Sequence, residues 1–159
     1  MNYETAFEVE IALSRYFDRR QYILVPNLSW SLLPWECDLA LITKSDYLYE
    51  IEIKISKADL KRDLKKRKWL LYDRGKVKRT WFAYPEVMSD NSELVPEIAG
   101  ILIVDKHGFV KQTKPPHDNP MAKKLNPHDK NTIMRLLNFR LWNMKDQSFT
   151  RFQLQEKSK

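Results

Sequence analysis

Glycine is scarce: the chain has three in 159 residues, Gly75, Gly100 and Gly108. They lie too far apart for G-x-G-x-x-G or G-x-x-x-x-G-K-[ST], which excludes a glycine-rich phosphate cradle of either kind. Cysteine occurs once, as Cys37, so no internal disulfide can form. No basic-then-apolar leader opens the chain, and the two observations together give the expectation of a reducing, cytoplasmic setting. His107, His117 and His128, with a single cysteine beside them, do not have zinc-ligand spacing. Long apolar runs are missing as well. The longest aliphatic stretch, Ile101 to Val104, is far too short to span a bilayer, and no membrane partner is expected.

What is present suffices for a core. The chain is 43% hydrophobic, with seven Phe, seven Tyr and five Trp, and a domain of this length buries roughly 70% of its unfolded surface. The expected organisation is one α/β domain over residues 1–145 with a polar tail over 146–159. The net charge of +7 is unevenly placed. Residues 57–79 hold eleven Lys or Arg against Asp59, Asp63 and Asp73, so this one segment accounts for the excess and the remainder is close to neutral. A single basic segment on a near-neutral body fits a phosphate-binding face, because neutralising phosphates releases condensed counterions. It equally fits a solvated helix that confers solubility.

Residues 4–18 read as a helix with Ala6, Val9, Ala12, Leu13, Tyr16 and Phe17 on one arc and Glu10 inside it. Residues 21–33 read as a strand and loop closed by Pro34. Two alternating runs follow, Cys37 to Thr43 and Tyr47 to Ile55, separated by Lys44, Ser45 and Asp46, which is the pattern of a hairpin. Ser56 can cap a helix with Asp59 three residues on. That helix would carry Leu60, Leu64 and Leu71 as its apolar stripe, with Lys57, Lys61, Arg62, Lys65, Lys66, Arg67 and Lys68 around the rest as candidate DNA contacts. Short strands are expected at 81–84, 100–104 and 109–111. A last helix should start at Asn126-Pro127 and run to about Met144.

The chemical signal lies in the hairpin. A three-residue loop over 44–46 puts Asp38 across from Glu52, Ala40 from Glu50 and Glu36 from Lys54. Directly opposed carboxylates destabilise a sheet unless something positive sits between them. Mg²⁺ commonly takes one or two carboxylates together with waters and a substrate phosphate. A metal held there could polarise a phosphodiester, with Lys54 orienting water or stabilising developing negative charge. The tripeptide Glu52-Ile53-Lys54 alone says little, since an E-x-K is expected about once by chance in this composition. The competing account is a half-solvated hairpin with a polar outer face and an ordinary Glu36–Lys54 surface pair.

Asp38, then Glu52-Ile53-Lys54 at a strand end, preceded by a helix bearing Glu10, resembles the core of the PD-(D/E)xK nuclease superfamily. Within it the chain is most similar to the MmcB-like DNA-repair proteins. The stretch Glu52-Ile-Lys-Ile-Ser-Lys-Ala-Asp-Leu-Lys-Arg-Asp63 resembles their E-[VI]-K-x-S-x-A-D-[FL]-x-x-D. Trp81-Phe-Ala and Pro96 to Asp105 with Gly108 resemble later segments, so the likeness covers about residues 8–142. It implies a restriction-endonuclease-like core with a mixed central sheet flanked by helices, and a metal-dependent DNA nuclease using Mg²⁺ or Mn²⁺. By position, Asp38 and Glu52 would bind metal, the Ile53 carbonyl would add a ligand, Lys54 would serve the attacking water, and Glu10 would reach the metal through water. Two departures stand out. The family's R-A-D is Glu36-Cys37-Asp38 here, and about three extra residues between Asp63 and Trp69 lengthen the basic face. The alternative is a catalytically silent DNA-binding module on the same scaffold that recruits partners. The sequence leaves open a homodimer and protein partners in DNA repair.

Overall fold

A computed structural model describes residues 5–28, 32–65 and 75–157. Among these the elements are α1 (Ala6–Tyr16), β1 (Tyr22–Leu28), β2 (Cys37–Thr43), β3 (Leu48–Ile53), α2 (Lys57–Leu64), β4 (Val77–Pro85), a 3-10 stretch (Glu86–Leu94), β5 (Gly100–Val104), β6 (Val110–Lys114) and α3 (Pro127–Lys157). The chain falls into two compact units, Met1–Leu125 and Asn126–Lys159.

In the first unit the six strands form one sheet in the order β1-β2-β3-β4-β5-β6. β1, β2 and β3 are a meander of antiparallel neighbours. β4 lies parallel to both β3 and β5, and β6 closes the far edge antiparallel. This is the expected α/β class with a mixed, restriction-endonuclease-like sheet. α1 begins two residues later than its apolar arc predicts because Thr5 caps it. Glu8 N–H donates to Thr5 Oγ1 at 3.3 Å and Thr5 N–H donates to Glu8 Oε2 at 2.9 Å, a complete capping box. Its Val9, Ala12 and Leu13, with Phe17, pack on Leu39, Leu41, Ile51, Ile53, Trp81, Ala83 and Leu102. The other sheet face is covered by Leu60 of α2, and by Met88 and Val95, over Phe82, Tyr84 and Ile101. Each fully buried side chain of this size contributes about 1.5–3 kcal/mol.

The hairpin has the predicted register. Leu39 pairs with Ile51, Ala40 with Glu50, Leu41 with Tyr49 and Ile42 with Leu48. Its turn is the three residues 44–46. Thr43 N–H donates to Tyr47 O at 2.9 Å, and Asp46 takes a left-handed conformation (φ 66°), the usual closure of a three-residue hairpin loop. Pro26 is tolerated because β1 is an edge strand, where a missing N–H costs no ladder bond. Gly100 has a packing reason: a Cβ there would sit 2.6 Å from Trp81 Cδ1 and 2.9 Å from the Lys114 carbonyl oxygen.

β4, β6 and α3 also depart from the sequence-based expectation. β4 starts at Val77 rather than 81, carrying Lys78 and Arg79 into the sheet at an irregular point. β6 extends to Lys114, an edge position where a polar Lys-Gln-Thr-Lys run is readily accommodated. In the second unit, α3 does not stop near Met144 but runs through to Lys157, because no Pro or Gly follows Pro127 to break it. Its start is capped reciprocally: Asp129 N–H donates to Asn126 Oδ1 and Asn126 N–H to Asp129 Oδ2, each at 2.9 Å. Among the described residues no helix is long and apolar enough to cross a membrane.

Candidate active site

The β2–β3 ladder ends at Leu39–Ile51. Two residues further, where a continuing ladder would have Ile53 N–H donate to a β2 backbone carbonyl, it donates instead to Asp38 Oδ2 at 2.8 Å. The carboxylate therefore stands in for the backbone acceptor at the point where the strands part. Lys54 follows, its own N–H donating to Ala83 O on β4 at 2.9 Å. Its ammonium is 2.8 Å from Glu52 Oε2, 3.4 Å from Asp38 Oδ2 and 3.4 Å from Asp63 Oδ1. Strand alternation puts Glu52 and Lys54 on the face covered by α2, and α2 delivers Asp63 from the helical stripe that carries Leu60.

Burial makes this cluster electrostatically tense. The side chains of Glu52, Asp63 and Lys54 are 1%, 2% and 5% exposed, whereas Asp38 is 36% exposed and forms the solvent side of the group. Burial penalises the Lys54 cation, but Glu52, then Asp38 and Asp63, outweigh it and hold the ammonium's proton well above the ordinary lysine range. Burial raises the Asp38 carboxyl above its usual value and Glu52 adds to this, against the lowering effects of Lys54 and the Ile53 N–H. Lys54 is thus a fixed cation and hydrogen-bond donor. With three carboxylates about one ammonium, the ionised cluster carries an excess of negative charge that a divalent cation would offset.

The structure brings Asp38, Glu52 and Lys54 together as the register predicted, and adds Asp63. Glu10 lies half-buried on α1, which packs against the opposite sheet face; it is not among the ion partners of Lys54 or the hydrogen-bond partners of Asp38. Ile53 is buried in the α1-side core. Glu36 is exposed, and Lys54, turned inward, does not make the surface pair with it that direct opposition suggests. Glu50 belongs to a separate arrangement. It is wholly buried, receiving Trp35 Nε1–H at 2.7 Å and Thr80 Oγ1–H at 3.1 Å, which ties the lead into β2 to the sheet. Asp63 had a sequence signal in its position three residues after Leu60; Trp35 and Thr80 had none.

Lys57, Lys61, Arg62 and Lys65 are all exposed on or beside α2. Ser56 caps the helix, accepting the Asp59 N–H at 3.2 Å, while Asp59 and Arg62 make a loose surface pair at 3.8 Å. Lys66, Arg67 and Lys68, also expected on this face, lie outside the described residues, as do Trp69 and Tyr72. Trp81 is core, with its indole N–H donating to Gln112 at 3.0 Å. Among the described residues no three or more His, Cys, Asp or Glu side chains form a metal-holding group. The site's donor set is smaller: two carboxylates, Asp38 and Glu52, meeting at a strand end beside a backbone segment. That number of hard oxygens suits Mg²⁺ or Mn²⁺ with water completing the shell.

The chain is similar in fold to a protein of unknown function from Silicibacter pomeroyi, with a TM-score of 0.64 and 19% sequence identity over 88% of this chain and 90% of that one. No protein-family model and no curated protein matches it.

Proposed function

We propose that the protein is a metal-dependent DNA nuclease, an endonuclease of DNA repair or processing that works in the cytoplasm. The observation that carries this reading is the convergence of Asp38 and Glu52 on the Lys54 ammonium where β2 and β3 separate. Asp38, Glu52 and the Ile53 carbonyl would hold Mg²⁺ or Mn²⁺. Bound there, the ion would supply Lewis-acid polarisation of a phosphodiester. Lys54 would orient the attacking water as a donor and stabilise the charge that develops on the phosphate. Asp63 holds Lys54 from behind, and the exposed Lys57, Lys61, Arg62 and Lys65 engage flanking phosphates without reading sequence.

The test is incubation of the full chain with linear, nicked, branched and single-stranded DNAs in Mg²⁺, Mn²⁺ or EDTA, alongside calorimetric titration of Mn²⁺. The proposal expects cleavage that EDTA abolishes and a saturable Mn²⁺ site lost in both Asp38→Asn and Glu52→Gln, with DNA binding retained. A specific observation also favours the second reading: Glu52 and Asp63 both pair with Lys54 while buried, as in a structural ion cluster. Salt-sensitive DNA binding without any Mn²⁺ uptake or cleavage would establish that silent, partner-recruiting module instead.

A further inference from the structure

The other end of β3 carries the opposite charge, and a sheet irregularity puts it there. Between β3 and β4 the register slips: Leu48 pairs with Val77 but Tyr49 pairs with Arg79, leaving Lys78 as an extra residue in a parallel ladder. Bulges between parallel strands are rare, and their structural effect is to re-aim side chains. Lys78 Nζ comes to 5.3 Å from the centre of the Tyr47 ring and 3.3 Å from Asn119 O, while the Arg79 guanidinium lies 5.4 Å from the centre of the Tyr49 ring. A strap formed by residues 115–125 completes the group. Asn119, itself buried, donates from its N–H to Lys78 O at 2.8 Å and from Nδ2 to Val77 O at 3.0 Å. Beyond it Lys123 N–H donates to Gly75 O at 3.2 Å and Leu125 N–H to Asp46 O at 2.8 Å. The strap thereby sets Lys124 Nζ 5.3 Å from the centre of the same Tyr47 ring.

Two lysines on one tyrosine, an arginine on the next and the exposed Lys123 make a fixed cationic–aromatic surface, countered mainly by Asp118, which pairs with both Lys78 and Arg79. Cations concentrated this way without matching carboxylates repel one another unless an anion covers them. The geometry points to this surface as a second phosphate-backbone contact, distinct from the α2 face, that grips the DNA away from the acidic cluster. Tyr47 lies seven residues before Lys54, about 23 Å along the strand. That distance corresponds to roughly seven base pairs of duplex. The inference takes its partner from the proposed function but does not need cleavage.

The experiment is fluorescence anisotropy with a labelled 20-base-pair duplex in EDTA, titrated between 50 and 200 mM salt, on the wild-type chain, Lys123→Gln/Lys124→Gln and Lys123→Arg/Lys124→Arg. Both lysines are exposed, so neither pair should disturb folding, which thermal melts verify. The expected result is that the Gln pair lowers the magnitude of the log–log salt slope by about 2 while the Arg pair keeps the wild-type slope. An unchanged slope in the Gln pair, or an equal fall in the Arg pair, overturns the second contact and leaves the nuclease proposal intact. Failure of the wild type to bind any DNA overturns both. A shifted slope in a chain that never cleaves supports the contact and removes the nuclease reading.

Discussion

The two ends of β3 handle charge in contrasting ways. At the C-terminal end, three carboxylates converge on one ammonium within 3.4 Å, and all of these groups but Asp38 are buried. At the N-terminal end, cations sit on aromatic faces and are partly exposed. Buried charges interact strongly and tolerate little change, because a partner removed leaves an uncompensated ion in a poor solvent. Half-exposed ones are screened and adjust readily, so they suit a ligand that is itself mobile and hydrated. A single strand thus carries one end of tightly coupled buried charge and one of more loosely coupled, partly exposed charge.

The sharpest way to break this contrast is to remove the central cation. Lys54→Met should destabilise the protein by about 3–5 kcal/mol in urea unfolding, since Glu52 and Asp63 would be left buried without their counter-ion. It should also reduce any cleavage by about 100-fold or more. A loss under 1 kcal/mol would mean that the acidic end is as well solvated as the basic one. The wild-type contribution has a definite pH window. The folded-state value of Lys54 is raised, so its stabilisation is fully present below the ordinary lysine value of 10.5 and is lost as pH rises through the folded value above it. Unfolding titrations of wild type and Lys54→Met should therefore keep a constant gap up to about pH 10 and converge only beyond it.

Next in size is the salt effect on α2. Replacing Lys57, Lys61 and Lys65 together with Gln should reduce the slope of DNA affinity against salt by about 3, with the thermal midpoint unmoved because all three are exposed. A shift in the melt with no change in slope would assign these lysines to helix stability rather than to binding.

How far the sequence reveals all this depends on how local each determinant is. The hairpin register was legible because a three-residue turn and strict alternation leave one pairing that keeps Ile51 and Ile53 inside, and that pairing carries Asp38 to Glu52. Ser56 as a cap was legible for a similarly local reason. Glu10 shows the limit: a helical wheel gives the arc on which it sits, but not which face of the sheet the helix will cover. The Trp35–Glu50–Thr80 arrangement joins positions 15 and 30 residues apart, and nothing near any of them announces the other two. The bulge at Lys78 is similarly silent, since it arises from how β4 must meet β3 and not from a turn-forming residue. The polar composition after Met144 suggested fraying, although unbroken helix formers sufficed to continue α3.

The smallest effect sharpens the comparison from the basic end. Asp118 is held below its ordinary carboxyl value of 3.8, chiefly by the hydrogen bond from Arg79, with the charges of Arg79 and Lys78 helping to outweigh the opposing effect of burial. A depressed folded-state value means that its stabilisation is present above 3.8 and lost as pH falls through the folded value, the reverse of the Lys54 case. The Asp118 and Arg79 side chains are each nearly half exposed, which limits the pair to a few tenths of a kcal/mol. Asp118→Asn should therefore lower stability slightly at neutral pH and erase that difference in acid. It should also strengthen DNA binding by removing the one carboxylate that answers both Lys78 and Arg79. Paired urea curves at pH 7 and pH 2.5, with anisotropy at neutral pH, test each half: a large stability loss would make the basic end as tightly coupled as the acidic one, and weaker DNA binding would mean that Asp118 orients the cations instead of opposing their ligand.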